Sequence, residues 1–214
     1  MGGWSGWTLF KKSAMEPKAP EATLPLASGK PEEPYSAAWY ESQYRAAKFT
    51  NQKLASEVVD RLMKLESTYK KGETATSVHW WLIGCLDAME CDNHPKGVLH
   101  NGELIVGTGK KTKLVPAGRG PFATKLESIV DALHYDGLAG RVMSLGECLK
   151  WAERYNGMGY KSRGIMSPYV WASTDRYSKG RFVADRKFDA NAVSKRAGVA
   201  AILKELERRG LVKF

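Results

Sequence analysis

A glutamate closes an apolar run in the stretch LDAMECDNHPKGVLHNG, residues 86–102. At the last turn of a predicted helix, Glu90 opposes the partly negative end of the helix dipole, and apolar neighbours disfavour its ionised form. Both effects are expected to raise the pKa of Glu90. A carboxylic acid that stays protonated at neutral pH can donate a proton to a glycosidic oxygen. The position alone also fits a solvated glutamate on the protein surface.

A zinc site is the competing interpretation of the same stretch. The residues able to bind zinc are Cys85, Cys91, His94 and His100. Their Cys-x5-Cys-x2-His-x5-His spacing lacks the paired short intervals of zinc fingers. Cys85 and Cys148 fit better as small hydrophobic residues on helix faces. We therefore predict no metal and no cofactor, and keep a zinc-binding protein as an alternative.

A second cluster, RYNGMGYKSRGIMSPYVW, spans residues 154–171 and mixes aromatic side chains with Asn and several glycines. Sugars stack on aromatic rings while polar groups bind their hydroxyls, and glycine lets the backbone come close to a ligand. This composition predicts a saccharide-binding groove, and a packed aromatic loop is the alternative. The predicted contacts are Tyr155, Asn156, Gly157, Tyr160, Tyr169 and Trp171.

The chain of 214 residues is 43% hydrophobic and carries a net charge of +10. This length and apolar fraction suit one well-packed domain. Residues 151–214 hold 14 basic and 6 acidic side chains, so an anionic partner such as a bacterial envelope, a membrane or nucleic acid is expected. The basic residues near the last helix are Lys195, Arg196, Lys204, Arg208 and Arg209. Without a zinc-finger, RNP or helix-turn-helix signature, nucleic-acid binding stays an alternative.

Three regions are predicted along the chain. Residues 1–15 form a Trp-rich basic tip, residues 16–34 a linker with five prolines, and residues 35–214 the main domain. Residues 1–12 predict either membrane contact or a disordered tail. We find no secretory signal and no run of about 18 apolar residues. Three cysteines without a disulfide-like spacing favour synthesis in a reducing compartment.

The main domain is predicted to be mostly helical. Apolar residues recur at helical spacing over 54–69, 78–89, 126–133, 145–152 and 193–206. The first pattern predicts one long helix, and the second a helix with Ser77 as its N-cap. Residues 95–122, rich in Gly and bounded by Pro, predict a small β-hairpin and an ordered loop. These elements give an α+β domain in which helices surround one small β element.

Several separated motifs resemble a family of lysozyme-like peptidoglycan hydrolases from phages and bacterial genomes, of the endolysin type. In chain order they are ME, HNG, VPAGRGPF, YNGMGY, SPYVWASTDRYSKGRFVAD and AVSKRAGVAAILKEL. The resemblance covers about residues 35–210 and extends more distantly to goose-type lysozymes and lytic transglycosylases. It implies a lysozyme-like fold with a small β-hairpin region. Cys91 stands where transglycosylases usually have Ser, and their Gly-Leu-Met-Gln motif has no counterpart here.

The resemblance implies a muramidase that cleaves the β-1,4 bond between N-acetylmuramic acid and N-acetylglucosamine, with Glu90 as general acid. The alternative outcome on the same bond is transglycosylation. His100 and Asn101 of the HNG motif join the predicted substrate contacts. The candidates for a second catalytic carboxylate are Asp92, Glu103 and Asp185.

The same resemblance implies where the protein acts and on what. The expected partners are peptidoglycan glycan strands and the anionic envelope. We expect a monomer made in the host cytoplasm that reaches the cell wall after release, either as a lysis protein or as part of a virus particle.

Overall fold

In the computed structural model, helices dominate the described residues, which are 33–157, 159–184 and 186–214. The helices are α1 (Ala37–Ala46), α2 (Gln52–Met63), α3 (Glu66–Thr76), α4 (Trp80–Cys91), α5 (Lys125–Tyr135), α6 (Leu145–Asn156), α7 (Pro168–Trp171) and α8 (Val199–Arg208). Two strands, β1 (Arg181–Ala184) and β2 (Lys187–Asp189), pair antiparallel. The prediction of a mostly helical α+β chain is confirmed at this level.

Helix α4 lies at the centre of the helical packing. Its residues from Trp81 to Cys91 are all buried, as expected of a helix that is hydrophobic around its whole circumference. Helices α2, α3 and α8 pack against it. Gly84 permits the close approach of α2, because a Cβ there would stand 2.8 Å from the Leu62 side chain. Packing on several sides makes α4 a rigid support for the residues at its C-terminal end.

Helices α5 and α6 confirm the periodic patterns at 126–133 and 145–152. Helix α6 begins with a capping box, in which Ser144 and Glu147 bind each other's backbone N–H groups. It packs on α1 so closely that a Cβ at Gly146 would stand 2.0 Å from the Ala37 carbonyl oxygen. At its other end, Gly157 leaves the helix with φ 101°, and the chain turns toward α7.

Three predicted helix boundaries are wrong. The helix predicted over 193–206 begins only at Val199, as α8. The pattern over 54–69 is two helices, since α2 ends at Met63 and α3 begins at Glu66. Ser77 is not the N-cap of α4 but the left-handed residue that ends α3, with φ 60° and its N–H donated to the Glu73 carbonyl at 2.7 Å. The break after Met63 lets two short helices, instead of one straight rod, follow the surface of α4.

The predicted β-hairpin within residues 95–122 is also wrong. This segment has one isolated bridge, between Gly97 and Leu104, and is otherwise turns and bends. Its backbone N–H groups at 113 and 114 bind the Glu103 carboxylate instead of a neighbouring strand. The sheet lies later in the chain, where Phe182 of β1 is opposite Phe188 of β2.

Cys85, Cys91 and Cys148 are free and buried, which fits the interpretation of Cys85 and Cys148 as small hydrophobic residues. None of the described helices is long and apolar enough to span a membrane. The predicted tip and nearly all of the predicted linker lie outside the described residues.

Candidate active site at the end of α4

Glu90 occupies the last turn of α4, and only 5% of the residue is exposed. The hydroxyl of Tyr169, from the short helix α7, donates a hydrogen bond to Glu90 Oε1 at 3.2 Å. Tyr169 is itself fully buried. Its position is set by the turn of α7, which begins with Pro168 in the first helical position, where proline fits best. The fold therefore brings a fixed phenol against the carboxyl group of Glu90.

Tyr155, near the end of α6, belongs to the same buried group. Burial raises its pKa, and the negative charges of Asp136 and Glu90 raise it further. Its hydroxyl donates to the Leu99 carbonyl at 2.9 Å. Burial and the Glu90 carboxylate also raise the pKa of Tyr169. Both phenols therefore stay protonated at neutral pH and act as hydrogen-bond donors.

A tight turn over residues 94–104 lies directly on the end of α4. Gly102 has φ +78°, and a Cβ there would stand 2.2 Å from the Glu90 carbonyl oxygen. At Gly97 a Cβ would stand 2.4 Å from the Cβ of Cys91. No other residue fits either position without moving the turn, so these two glycines set how closely the turn approaches Glu90.

A buried ion pair one helical turn before Glu90 holds this turn in place. Lys125 Nζ lies 2.5 Å from Asp87 Oδ1 and donates to the Gly97 carbonyl at 2.5 Å. Burial acts to lower the pKa of Lys125, but Asp87 and Cys91 outweigh it and the pKa is raised. The Tyr69 hydroxyl donates to the other Asp87 oxygen at 2.7 Å. Because breaking a buried pair strands a charge, this network fixes α5, α4 and the turn together.

His100 is buried at the base of the loop that follows. Its Nε2 lies 2.8 Å from Asp131 Oδ2, and its ring stacks on Phe122 with centroids 5.4 Å apart. Asp131 also accepts a hydrogen bond from Arg119 Nε at 2.9 Å. These contacts hold the VPAGRGPF segment against α5.

Asn101 and Glu103 are joined to the same loop by hydrogen bonds. The Asn101 amide donates to the Leu114 carbonyl at 3.0 Å and to Glu103 Oε2 at 3.1 Å. Glu103 Oε2 also accepts the N–H groups of Lys113 and Leu114, both at 2.9 Å. Glu103 therefore holds the loop together, a task that explains its position without catalysis.

The other candidates for a second carboxylate are placed differently. Asp92 turns outward, with 49% of its side chain exposed, and pairs with Arg61 of α2 at 2.8 Å. Asp185 lies outside the described residues. Asp92 therefore lies at the surface, against α2.

Two of the predicted aromatic contacts are packing residues in this structure. Trp171 has no exposed face on which a sugar could stack, since it is fully buried and its ring lies parallel to that of Tyr40 at 6.3 Å. Tyr160 packs its ring edge-on against Phe182, and its hydroxyl accepts the Phe182 N–H at 3.2 Å. Tyr160 thus anchors β1.

Asn156 remains a candidate for binding a ligand. Its Oδ1 is buried without a hydrogen-bond partner among the described residues, and it is adjacent to Tyr155. Gly157, next along the chain, adopts a positive φ that most other residues avoid. A buried amide oxygen without a protein partner is able to accept a hydrogen bond from a ligand or from water.

Sequence reasoning missed Asp136 and the contact of Arg196 with the end of α4. Asp136 acts on Tyr155 only because the end of α5 meets α6. Arg196 donates to the Met89 and Ala88 carbonyls, at 3.3 and 3.4 Å, and so neutralises the C-terminal end of α4. Both contacts join elements far apart in sequence, and no local pattern announces them.

The zinc alternative gains no support from the described part of the chain, where no three His, Cys, Asp or Glu side chains converge on a site for a metal ion. Comparison of the chain with protein-family models, curated proteins and solved structures finds no match.

Proposed function

We propose that this protein is a peptidoglycan-degrading glycosidase that cuts the β-1,4 bond between N-acetylmuramic acid and N-acetylglucosamine. One observation carries the proposal: Glu90 lies where the buried helix α4 ends beneath the 94–104 turn, and the hydroxyl of Tyr169 donates to its carboxyl group. The HNG, VPAGRGPF and YNGMGY motifs, which resemble lysozyme-like hydrolases, follow that glutamate along the chain.

Glu90 is the general acid of the proposed reaction. The proposed step needs Glu90 as the neutral carboxylic acid, which is the form able to donate a proton, and burial of the side chain disfavours the ionised form. The hydrogen bond from Tyr169 fixes the orientation of the carboxyl group. Glu90 protonates the bridging oxygen while an oxocarbenium-like state develops on the sugar ring.

The second half of the reaction needs a nucleophile. Asp92 pairs with Arg61, and Glu103 binds the loop backbone. Asp136 raises the pKa of the Tyr155 hydroxyl, as Glu90 does, and is the carboxylate that we propose in their place. We propose a water nucleophile, with Asp136 and Asn156 as the groups that orient it.

The alternatives from other classes are less well supported. Arg208 and Arg209, two cations of the predicted nucleic-acid surface, are engaged in ion pairs with the buried Glu205 at 2.7 and 2.8 Å. A lytic transglycosylase would use the same acid and differ in the attacking group, which would be a hydroxyl of the substrate instead of water.

Mass spectrometry of the fragments released from purified cell walls tests the proposal. The wild type should release saccharide fragments cut at the muramic acid linkage. Glu90→Gln should reduce the rate by about 100-fold or more, the usual range for loss of a general acid. Asp92→Asn, a neighbouring carboxylate change on the surface, should leave the rate unchanged.

Circular dichroism and thermal melting establish that each variant is folded. Absence of glycan cleavage by the wild type, or full activity of folded Glu90→Gln, would refute the proposal. Fragments with anhydro-sugar ends would show that the reaction is transglycosylation instead of hydrolysis. The role of Glu90 as general acid would be unchanged.

A further inference from the structure

A loop over residues 104–115 exposes apolar side chains beside the candidate site. Three of the seven large hydrophobic side chains exposed in the described part of the chain lie on it. They are Leu104, Leu114 and Val115, with 43%, 46% and 53% of each residue exposed. Isolated exposed apolar residues are ordinary, but a local group of them marks an interaction surface.

Lysines surround these apolar residues. Lys110, Lys111 and Lys113 are all exposed. In the described residues, none of the three takes part in an ion pair. Residues 104–115 contain no Asp or Glu. The loop therefore presents three exposed cations without an ion pair among the described residues, while the neighbouring Glu103 carboxylate binds the backbone N–H groups at 113 and 114.

The loop has a fixed shape. The Glu103 carboxylate binds the backbone at Lys113 and Leu114, which ties this end of the loop to the residue that precedes Leu104. The Thr112 hydroxyl donates to the Pro116 carbonyl at 2.6 Å. A separate small core lies beneath, made of Val98, Ile105, Val106 and Phe122. The exposed apolar residues are thus additional to those that fold the loop.

We propose that the 104–115 loop docks on the surface of an anionic lipid bilayer. Leu104, Leu114 and Val115 enter the boundary between headgroups and acyl chains, and the three lysines meet the anionic headgroups. Binding of this kind grows with the buried apolar area and with attraction to anionic lipids. Nucleic acids and anionic wall polymers would match the lysines equally well, but they offer no apolar phase for Leu and Val. The proposal does not depend on the activity of Glu90.

Sedimentation of the full chain with vesicles tests this proposal. We expect binding to vesicles of phosphatidylglycerol and phosphatidylcholine in equal parts, weaker binding at high salt, and little binding to phosphatidylcholine alone. Lys110→Gln, Lys111→Gln and Lys113→Gln together should reduce partition into the anionic vesicles by about 100-fold, at about fivefold per lysine. Leu114→Ser with Val115→Ser should reduce it by about tenfold or more.

The matched control is Lys150→Gln with Val142→Ser. Both residues are exposed, Val142 by 87%, and both lie away from the loop in the sequence. This control should bind anionic vesicles as the wild type does, and circular dichroism should show all variants folded. Wild-type binding by either loop variant, or failure of the wild type to bind anionic vesicles, would overturn the proposal. Loss of vesicle binding in the lysine variant, but not in the Leu and Val variant, would also overturn the proposal. It would identify the loop as a surface that binds soluble polyanions.

Discussion

Two buried glutamates in this protein each accept a hydrogen bond from a buried tyrosine. Tyr169 donates to Glu90 at the end of α4, and Tyr40 donates to Glu153 between α1 and α6. Glu90 is 5% exposed and Glu153 1% exposed. The chemistry of the two pairs is nearly the same, so burial and a tyrosine partner cannot by themselves identify a catalytic acid.

The surroundings of the two pairs differ. Glu153 lies in a helix interface, where Tyr40 packs on Trp171 and burial raises the pKa of the Glu153 carboxyl. Glu90 lies where a helix ends, beneath a turn, and Tyr155 with its neighbour Asp136 lies beside it. Both carboxyl groups are buried, but Glu153 lies inside a helix interface, whereas Glu90 lies at the meeting point of a helix end and a loop, where we propose that substrate binds.

The largest effect is expected from a change in how the turn meets Glu90. Gly102→Ala would place a methyl group 2.2 Å from the Glu90 carbonyl oxygen at a positive φ. We expect a loss of about 3 kcal/mol or more in the free energy of unfolding, because overpacking and backbone strain add. Urea denaturation measures it.

Gly109→Ala is the matched control for this prediction. Gly109 has a similar φ of +71°, but no atom lies within 4 Å of its Cβ position. Gly109→Ala should lower the free energy of unfolding by only about 1 kcal/mol, because the strained φ is its only cost. An equal loss of stability in the two variants would mean that the turn does not contact the end of α4 as closely as described.

Removing the tyrosine hydroxyl should mainly lower stability in one pair and mainly slow wall cleavage in the other. Tyr40→Phe leaves a buried carboxyl without its donor and should cost about 1–3 kcal/mol of stability with little change in wall cleavage per folded molecule. Tyr169→Phe should slow wall cleavage by about tenfold, because the orientation of Glu90 is lost. A cleavage rate that falls equally in both variants would remove the distinction between the pairs.

The pH dependence of stability should report on Glu153. Its pKa in the folded protein is raised above its ordinary value of 4.5, so the folded state binds the proton more tightly than the unfolded state. The stabilisation from this group is complete below pH 4.5 and is lost as the pH rises through the raised pKa. The melting temperature of Glu153→Gln should therefore fall less between pH 4.5 and 7 than that of the wild type. An identical fall would contradict the raised pKa.

The smallest effect is expected from Asp92→Asn. The ion pair of Asp92 with Arg61 is exposed to solvent on both sides, and such pairs contribute about 0.5 kcal/mol or less. Stability and wall cleavage should both stay close to wild type. A large loss of cleavage would restore Asp92 as a catalytic carboxylate.

The sequence predicts the parts of this fold that depend on local patterns. Helices α5 and α6 follow from apolar spacing, and Glu90 is found because an apolar run changes abruptly into Cys-Asp-Asn-His-Pro. The hydrogen bond between Tyr169 and Glu90 could not be predicted, since it depends on α7 packing against α4. The hairpin was placed in the wrong segment because Glu103 supplies the hydrogen bonds that a partner strand would have made. The short strands β1 and β2 lack an apolar alternation long enough to predict them.

The rate of wall cleavage by Glu90→Gln, measured beside Glu153→Gln, tests the central claim most directly. Each change replaces a buried glutamate that accepts a tyrosine hydrogen bond with an amide of the same shape. We expect Glu90→Gln to lose about 100-fold or more in rate, and Glu153→Gln to cleave walls at the wild-type rate once it is folded. Full activity in folded Glu90→Gln, or an equal loss in both variants, would contradict the assignment of Glu90 as the catalytic acid.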